Sequence, residues 1–221
     1  MYFLGDCHGD FSWYLDTRKI FNYSVQLGDF GFGFQPKMNW KNEIILKSDI
    51  ALNPELLPDD PRHKFILGNH DDRNIVSSHP SYLGDYGYHE KSGIFYISGA
   101  FSIDAESRTM GFDWWEYEEL SYMELHEMIQ LYRDTKPRIV VSHDAPSIAT
   151  LTMFPNHRKH HWPSKTRQAM DQCFEIWQPK AWIFGHWHKT CHTLGTTRFQ
   201  CVGIRDCVEI RDVTWEKNDM E

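Results

Sequence analysis

The sequence predicts an α/β fold in which helices cover buried strands and the sheet is mixed. Three observations point there. Short apolar runs ending in glycine or polar residues recur along the chain, as "MYFLGD", "YSVQLGDFG", "HKFILGNHD", "IFYISGAFS", "RIVVSHDAP" and "AWIFGHWH". Such runs, rich in Ile, Val and Phe and followed by turn chemistry, read as strands buried on both faces. Segments with helical patterning lie between them, which places helices outside the strand layer. The tail differs: "HTLGTTRFQCVGI" and "DCVEIRDVTW" read as hairpin strands, and antiparallel strands joined to such a pattern make a mixed sheet.

Taken in order, "MYFL" opens the chain as a strand and Trp13 to Phe21 follows as a short helix. "YSVQL" is the next strand, Ile44 to Leu52 the next helix, and "HKFIL" and "IFYIS" are strands again. Glu118 to Tyr132 carries Leu120, Met123, Leu125, Met128, Ile129 and Tyr132 at mostly helical spacing, and "RIVVS" follows it as a strand. Ser164 is a good N-cap for "SKTRQAMDQCFEIW", and Pro179 sits just past that helix, before the strand "AWIF". With no internal repeat, low-complexity tract or linker, residues 1–221 read as a single domain.

Composition narrows the function classes. An apolar fraction of 41% and an aromatic fraction of 15% are those of a folded chain and argue against disorder. A formal charge of -8 argues against a general nucleic-acid coat, because phosphate backbones recruit basic surfaces, and leaves room for a local basic pocket. The start, "MYFLGDCHGD", lacks a basic region and turns polar after four residues, so it reads as neither a signal peptide nor a membrane span. The five cysteines are odd in number and scattered without a CxxC pair, which reads as reduced thiols in a cytoplasmic protein.

The chemistry-bearing residues cluster at the ends of the predicted strands. "GDCHG" gives Asp6 and His8, "LGDFG" gives Asp29, "GNHDD" gives Asn69 and His70, "VSHDAP" gives His143, and "GHWH" gives His186 and His188. In α/β sheets the loops beyond the carboxyl ends of strands converge on one crevice, where functional residues gather. One Gly-Asp after a strand is ordinary turn chemistry, and one His there is an ordinary polar group. Five such blocks, each after an apolar run, point to a shared metal centre. Carboxylates and imidazoles suit borderline divalent ions, and the blocks lack the thiolates of a structural zinc site.

The ordered set GDxHG, GD, GNHD, SHD and GHxH, running from Asp6 to His188, resembles the calcineurin-like metallophosphoesterase superfamily. The resemblance implies a four-layer α/β/β/α sandwich with mixed sheets and a two-metal centre between them. A finer likeness lies in "SGAFSIDAESRTMGFDWWEYEEL", which is similar to the segment GGAxSIDxxxRxxGxSWWxxE of a branch of small bacterial and phage members. Carried over residue by residue, the resemblance implies that Asp6, His8 and His188 hold one metal and Asn69, His143 and His186 the other. Asp29 would bridge them, and His70 would serve as general acid or transition-state stabiliser.

Two cations about 3.5–4 Å apart clamp a phosphoryl group and activate water as the nucleophile. This agrees with the absence of a Ser-His-Asp set, a GxSxG elbow or a Walker A loop. Mn²⁺ is the expected metal, and the same donors accept Fe, Zn, Co or Ni. The expected activity is hydrolysis of a phosphate mono- or diester in a phosphorylated small molecule or nucleotide. Two competing readings are a non-enzymatic metal-binding scaffold of the same fold and a protein Ser/Thr phosphatase. The second is weakened by a departure: those phosphatases carry GDxxDRG where this chain has "GDFGFGF", so the Asp that orients the histidine and the Arg that binds phosphate are both missing.

Asp71 and Asp72 are candidates to orient His70 or to close a turn. Arg73 and Arg108 are candidate substrate contacts, against the alternative of a solvated Arg73. Trp114 and Trp115 read either as a wall for a base or sugar or as packing residues. "NHRKHHWPS", basic and aromatic in an acidic chain, reads as a solvated loop ahead of an active-site flap. Cys7 is expected to point away from the metal centre, and Cys191 with His192 lacks the upstream pair a zinc cluster needs.

Overall fold

Successive residues of a strand face opposite sides of its sheet, so a strand that is apolar at every position must be covered on both faces. The computed structural model describes residues 1–35, 37–38, 44–45 and 48–211. Its first elements are β1 (Tyr2–Leu4), α1 (Phe11–Arg18), β2 (Ser24–Leu27), β3 (Lys37–Met38), β4 (Ile44–Ile45), β5 (His63–Ile66), α2 (Arg73–Val76), β6 (Tyr86–His89) and β7 (Ile94–Ile97). There follow α3 (Tyr122–Thr135), β8 (Ile139–Ser142), α4 (Ser147–Met153), α5 (Lys165–Ile176), β9 (Ala181–Phe184), β10 (Cys191–Thr193), β11 (Arg198–Cys201) and β12 (Cys207–Glu209).

The strands form a four-stranded sheet, ordered β12-β1-β2-β5, and a six-stranded sheet, ordered β10-β11-β9-β8-β7-β6, with β3 and β4 paired separately. The inner strands of both sheets run parallel, and the edges β12, β10 and β6 are antiparallel. Both sheets are therefore mixed, as expected.

Side-chain alternation shows how the layers stack. Phe3, Val25 and Leu27 of the smaller sheet meet Ile94, Ile139, Val141 and Ile183 of the larger one in a shared core. One residue along, Leu4 and Phe65 turn outward onto Phe11 and Tyr14 of α1. On the far side Phe95, Val140, Trp182 and Phe184 pack on Leu125, Met128 and Tyr132 of α3 and Met170 of α5. The order is helix, sheet, sheet, helix. Each apolar side chain fully buried in these layers contributes about 1.5–3 kcal/mol relative to exposure.

Local chemistry sets the helix ends. α3 starts four residues later than its periodicity predicts, because Ser121 and Glu124 form a reciprocal capping box, and it runs on to Thr135 before Lys136 turns left-handed. Asp10 caps α1 by accepting from the Trp13 amide, which moves the helix ahead of its expected Trp13 start. Ser164 caps α5 as the sequence predicts. The helix expected over Ile44 to Leu52 is not formed: β4 and a 3₁₀ turn, Asp49–Ala51, occupy its described residues. The tail strands also part company, since β10 and β11 form a hairpin on the large sheet while β12 crosses to pair with β1. Among the described residues no helix is long and apolar enough to cross a membrane.

Candidate metal centre

The carboxyl ends of β1, β2 and β5 in one sheet face those of β8 and β9 in the other, and all five motif blocks begin there. Two groups of metal-competent side chains converge: Asp6, His8, Asp29 and His188 in one, and Asp29, His143 and His186 in the other. His8 Nε2 and His188 Nε2 lie 3.2 Å apart, and Asp6 Oδ2 is 3.7 Å and 3.4 Å from them. Asp29 Oδ2 is 3.8 Å from His8 Nε2, and its Oδ1 is 3.2 Å from His143 Nε2. Asn69 Oδ1 joins the second group at 3.2 Å from His143 Nε2. Asp29 thus faces both groups.

Each carboxylate has one oxygen held by a backbone amide and the other left without a hydrogen-bond partner, and the held oxygen of Asp29 also faces His143. Asp6 Oδ1 accepts from the His186 amide at 3.2 Å and Asp29 Oδ1 from the His70 amide at 2.9 Å. Asp6 Oδ2, Asp29 Oδ2 and both ring nitrogens of His186 are buried without a hydrogen-bond partner. Buried polar atoms are ordinarily satisfied, so this concentration of unpartnered carboxylate oxygens and imidazole nitrogens is a fit for divalent cations. Outer contacts aim the ligand atoms: His143 Nδ1 bonds Leu27 O at 2.6 Å and leaves Nε2 facing inward. Asn69 Nδ2 donates to Ser102 Oγ at 2.8 Å, which turns Oδ1 toward His143, while the Ser102 amide donates to Glu118 at 2.7 Å.

The backbone is bent to make this possible. His8, Asp29, His186 and His188 have φ of 48°, 57°, 63° and 59°, and only Lys136 and Arg205 among the other described non-glycine residues share that region. Such conformations cost on the order of 1–3 kcal/mol each and persist where surrounding bonds over-determine them. Asp71 supplies much of that constraint. Its carboxylate accepts from the amides of Phe30 (3.2 Å), Gly31 (2.8 Å), Phe32 (3.1 Å) and Gly68 (2.9 Å), fastening the Asp29 loop to the Asn69 loop. Gly68 must lack a side chain, because a Cβ there would strike Asp29 Oδ1 and His143 Nε2.

Burial and crowding shift the titrations of the metal-free cluster. Burial pushes Asp6 up to about 7. Burial works against a charged His143, yet the facing Asp29 carboxylate outweighs it and raises this group to about 9. Burial lowers His188 to about 4 and His70 to about 3. A cation binds the deprotonated forms, so uptake of metal releases protons here.

The centre opens into a cleft of about 250 Å³ lined by Asn69, His70, Phe101, Arg108, Arg158 and Lys159 among others. The segment "NHRKHHWPS" is exposed at Asn156, His161, Trp162 and Pro163, as a solvated loop would be, while His157, Arg158 and Lys159 line the cleft. Lys159 is buried, donates to the His186 carbonyl and lies 5.5 Å from the Trp187 ring. Arg167, on α5, pairs with the buried Asp144 at 2.7 Å and donates to Lys159 O, while Trp187 Nε1 donates to Asp144 at 2.8 Å. Asp144 belongs to the quoted block "VSHDAP", but only the folded chain shows that it anchors the "GHWH" turn.

Arg73 is not at the centre: it faces Asp85 and Glu124, at 3.4 Å each, because α2 carries it away from the cleft. Neither Asp71 nor Asp72 reaches His70. Asp71 is spent on the loop amides, while Asp72 caps α2 through the Asn74 amide and accepts from Tyr117. Arg108 does reach it, with Nη2 2.8 Å from His70 Nε2. Trp115 is a packing residue, stacked on Phe34 at 5.3 Å, and Phe34 in turn packs on His70. Cys7 points into the α1 core, and Cys191 and His192 join no metal-type group among the described residues.

The family model for calcineurin-like phosphoesterases (Metallophos) matches residues 1–190. The chain belongs to that family. Comparison with curated protein sequences finds no match. Among solved structures the chain is similar to the phosphopantetheinyl hydrolase of Mycobacterium tuberculosis, with 12% identity, 92% of this chain and 89% of that one covered, and a TM-score of 0.44. It is also similar to TT1561 of Thermus thermophilus, with 13% identity, coverages of 92% and 89%, and a TM-score of 0.42. GAP50, the anchor in the inner membrane complex of Plasmodium, gives 11% identity, coverages of 92% and 71%, and a TM-score of 0.45. Likenesses this remote carry no argument about what the chain does.

Proposed function

We propose that the chain is a phosphoester hydrolase working with two divalent cations. Asp6, His8 and His188 would hold one, Asn69, His143 and His186 the other, and Asp29 would reach both. The observation that carries this reading is the set of inward-facing, unsatisfied atoms on Asp6, Asp29 and His186 beside the paired imidazoles of His8 and His188. When bound, the cations supply Lewis-acid charge for phosphoryl oxygens and an activated water as nucleophile. The chain's own residues do the rest. The cleft binds the substrate's anionic group beside Arg158 and Lys159, and His70 transfers a proton at the leaving-group oxygen. The mono- or diester substrate is a phosphorylated small molecule or nucleotide.

A protein Ser/Thr phosphatase fits less well, since Phe32, where that pattern has its Asp, is a fully buried core residue. The test is hydrolysis of p-nitrophenyl phosphate and bis-p-nitrophenyl phosphate by protein reconstituted with Mn²⁺, alongside its metal content. We expect about two equivalents of metal and turnover of at least one ester. His70→Ala should keep the metal and lose ~10²–10⁴ in rate. Two bound metals with no turnover of either ester or of a nucleotide panel would instead leave the metal-binding scaffold.

A further inference from the structure

The histidine in the cleft has lost the partner that the GDxxDRG pattern would supply, and a residue from a distant loop stands in its place. Arg108 lies on the turn after the 3₁₀ segment Ala105–Ser107, and its side chain is 11% exposed. Its Nη2 is 2.8 Å from His70 Nε2 and 2.8 Å from Asp104 Oδ2. Its Nη1 donates to the Asp113 carbonyl at 3.0 Å and lies 3.3 Å from His70 Nδ1. The guanidinium is thus held by two fixed acceptors on its own loop and presents its fork to one imidazole. A planar, permanently charged fork is suited to fixing a partner's orientation, which a lysine's single rotating ammonium is not.

We infer that Arg108, aligned by Asp104 and the Asp113 carbonyl, is the positioning residue for His70, holding its ring in the cleft beside Asp29. This rests on the hydrolase reading above and assigns Arg108 a role through His70 rather than a direct grip on substrate. A neutral imidazole has one acceptor nitrogen, so the shorter contact makes Nε2 the acceptor and Nδ1 the proton carrier in the resting protein. Phe34, 5.3 Å from the ring centroid, limits the ring's other side, and the backbone amide of His70 is tied to Asp29. Arg108 is then the contact that chooses among the ring orientations left open.

A double-mutant cycle tests this on the Mn²⁺-loaded full chain with whichever nitrophenyl ester it hydrolyses. Arg108→Ala should lower kcat by about 10- to 100-fold with KM little changed. It should add nothing further in the His70→Ala background, because the two act as a unit. Arg108→Lys should recover little, and Asp104→Asn, at a more exposed position that does not threaten folding, should lower kcat less and with the same non-additivity. Losses that multiply in the double variant, or a rise in KM with kcat kept, would overturn the assignment and make Arg108 a substrate contact. A readout free of turnover comes from ¹⁵N spectra of the histidine rings, with the His70 signals identified by their loss in His70→Ala. One Nδ1–H tautomer in the native protein that becomes a mixture in Arg108→Ala supports positioning, and an unaltered His70 signal overturns it. If the native chain hydrolyses neither ester nor any member of the nucleotide panel, the hydrolase reading fails, while the spectra still decide whether Arg108 orients the ring.

Discussion

The two ligand groups share Asp29 but live in different surroundings. Around Asp6 the imidazoles are open, with the His8 and His188 side chains 23% and 46% exposed. Around His143 everything is buried, that ring being fully so, and both His143 and Asn69 are tethered from behind by Leu27 and Ser102. A buried, tethered group is built into the fold, whereas an open one is filled from solvent. The inner site should therefore be coupled to stability and the outer site to metal supply.

The largest break in that comparison comes from the residue they share. Asp29→Asn should empty at least one site by metal analysis and reduce hydrolysis on the order of 10³-fold or more, since each Lewis acid supplies several kcal/mol. Next in size, His143→Ala should destabilise the metal-free fold by about 3–5 kcal/mol, because it strands a buried Asp29 carboxylate. His188→Ala should change stability by less than about 1 kcal/mol. Urea unfolding of the two variants side by side measures the difference, and equal losses would contradict the division into inner and outer sites.

A subtler probe is Ser102→Ala, which frees the Asn69 amide to rotate. It should weaken metal binding about 10- to 100-fold at one site only, visible as a split in a Mn²⁺ titration. pH sharpens the contrast again. His143 has its folded pKa raised to about 9 from 6.5, so the protonated ring stabilises the fold fully below 6.5 and that contribution is lost as pH rises through about 9. Chelated protein should lose thermal stability across that window, and Mn²⁺ should reverse the trend because the metal takes the deprotonated ring. Smallest of all, Arg73→Ala should leave hydrolysis unchanged and alter stability by no more than about 1 kcal/mol, its partners being half-exposed carboxylates.

The alternation of strands and helices, and the gathering of Asp, Asn and His at strand ends, were legible because both follow from local patterns. Apolar runs ending in Gly-Asp, Gly-Asn, Gly-His or Ser-His declare a buried strand and a polar exit together, and Asp6, Asp29, Asn69, His143 and His186 all lie on such exits. What sequence reading missed depends on contacts between distant segments. The Asp104–Arg108–His70 chain joins positions 38 apart, and the Lys159–Arg167–Asp144 network makes a basic loop part of the cleft wall. Arg73 was left open between a substrate contact and a solvated side chain because it follows the "GNHDD" block in sequence; at the start of α2 it faces Asp85 and Glu124. Likewise Ile44 to Leu52 has apolar residues enough for a helix, and strand pairing at Ile44–Ile45 prevails.

Asp71 fills a backbone cradle of a kind that elsewhere holds an anion. Many phosphate sites are cradles of backbone amides, concave nests that solvate the charge without any side chain. Here the amides of Phe30, Gly31, Phe32 and Gly68 converge on such a point, and the protein's own carboxylate already occupies it. The chain is, in effect, self-liganded at its anion nest. That cradle is buried and already filled, so an incoming anion meets instead the side chains that line the cleft, His70, Arg108, Arg158 and Lys159 among them.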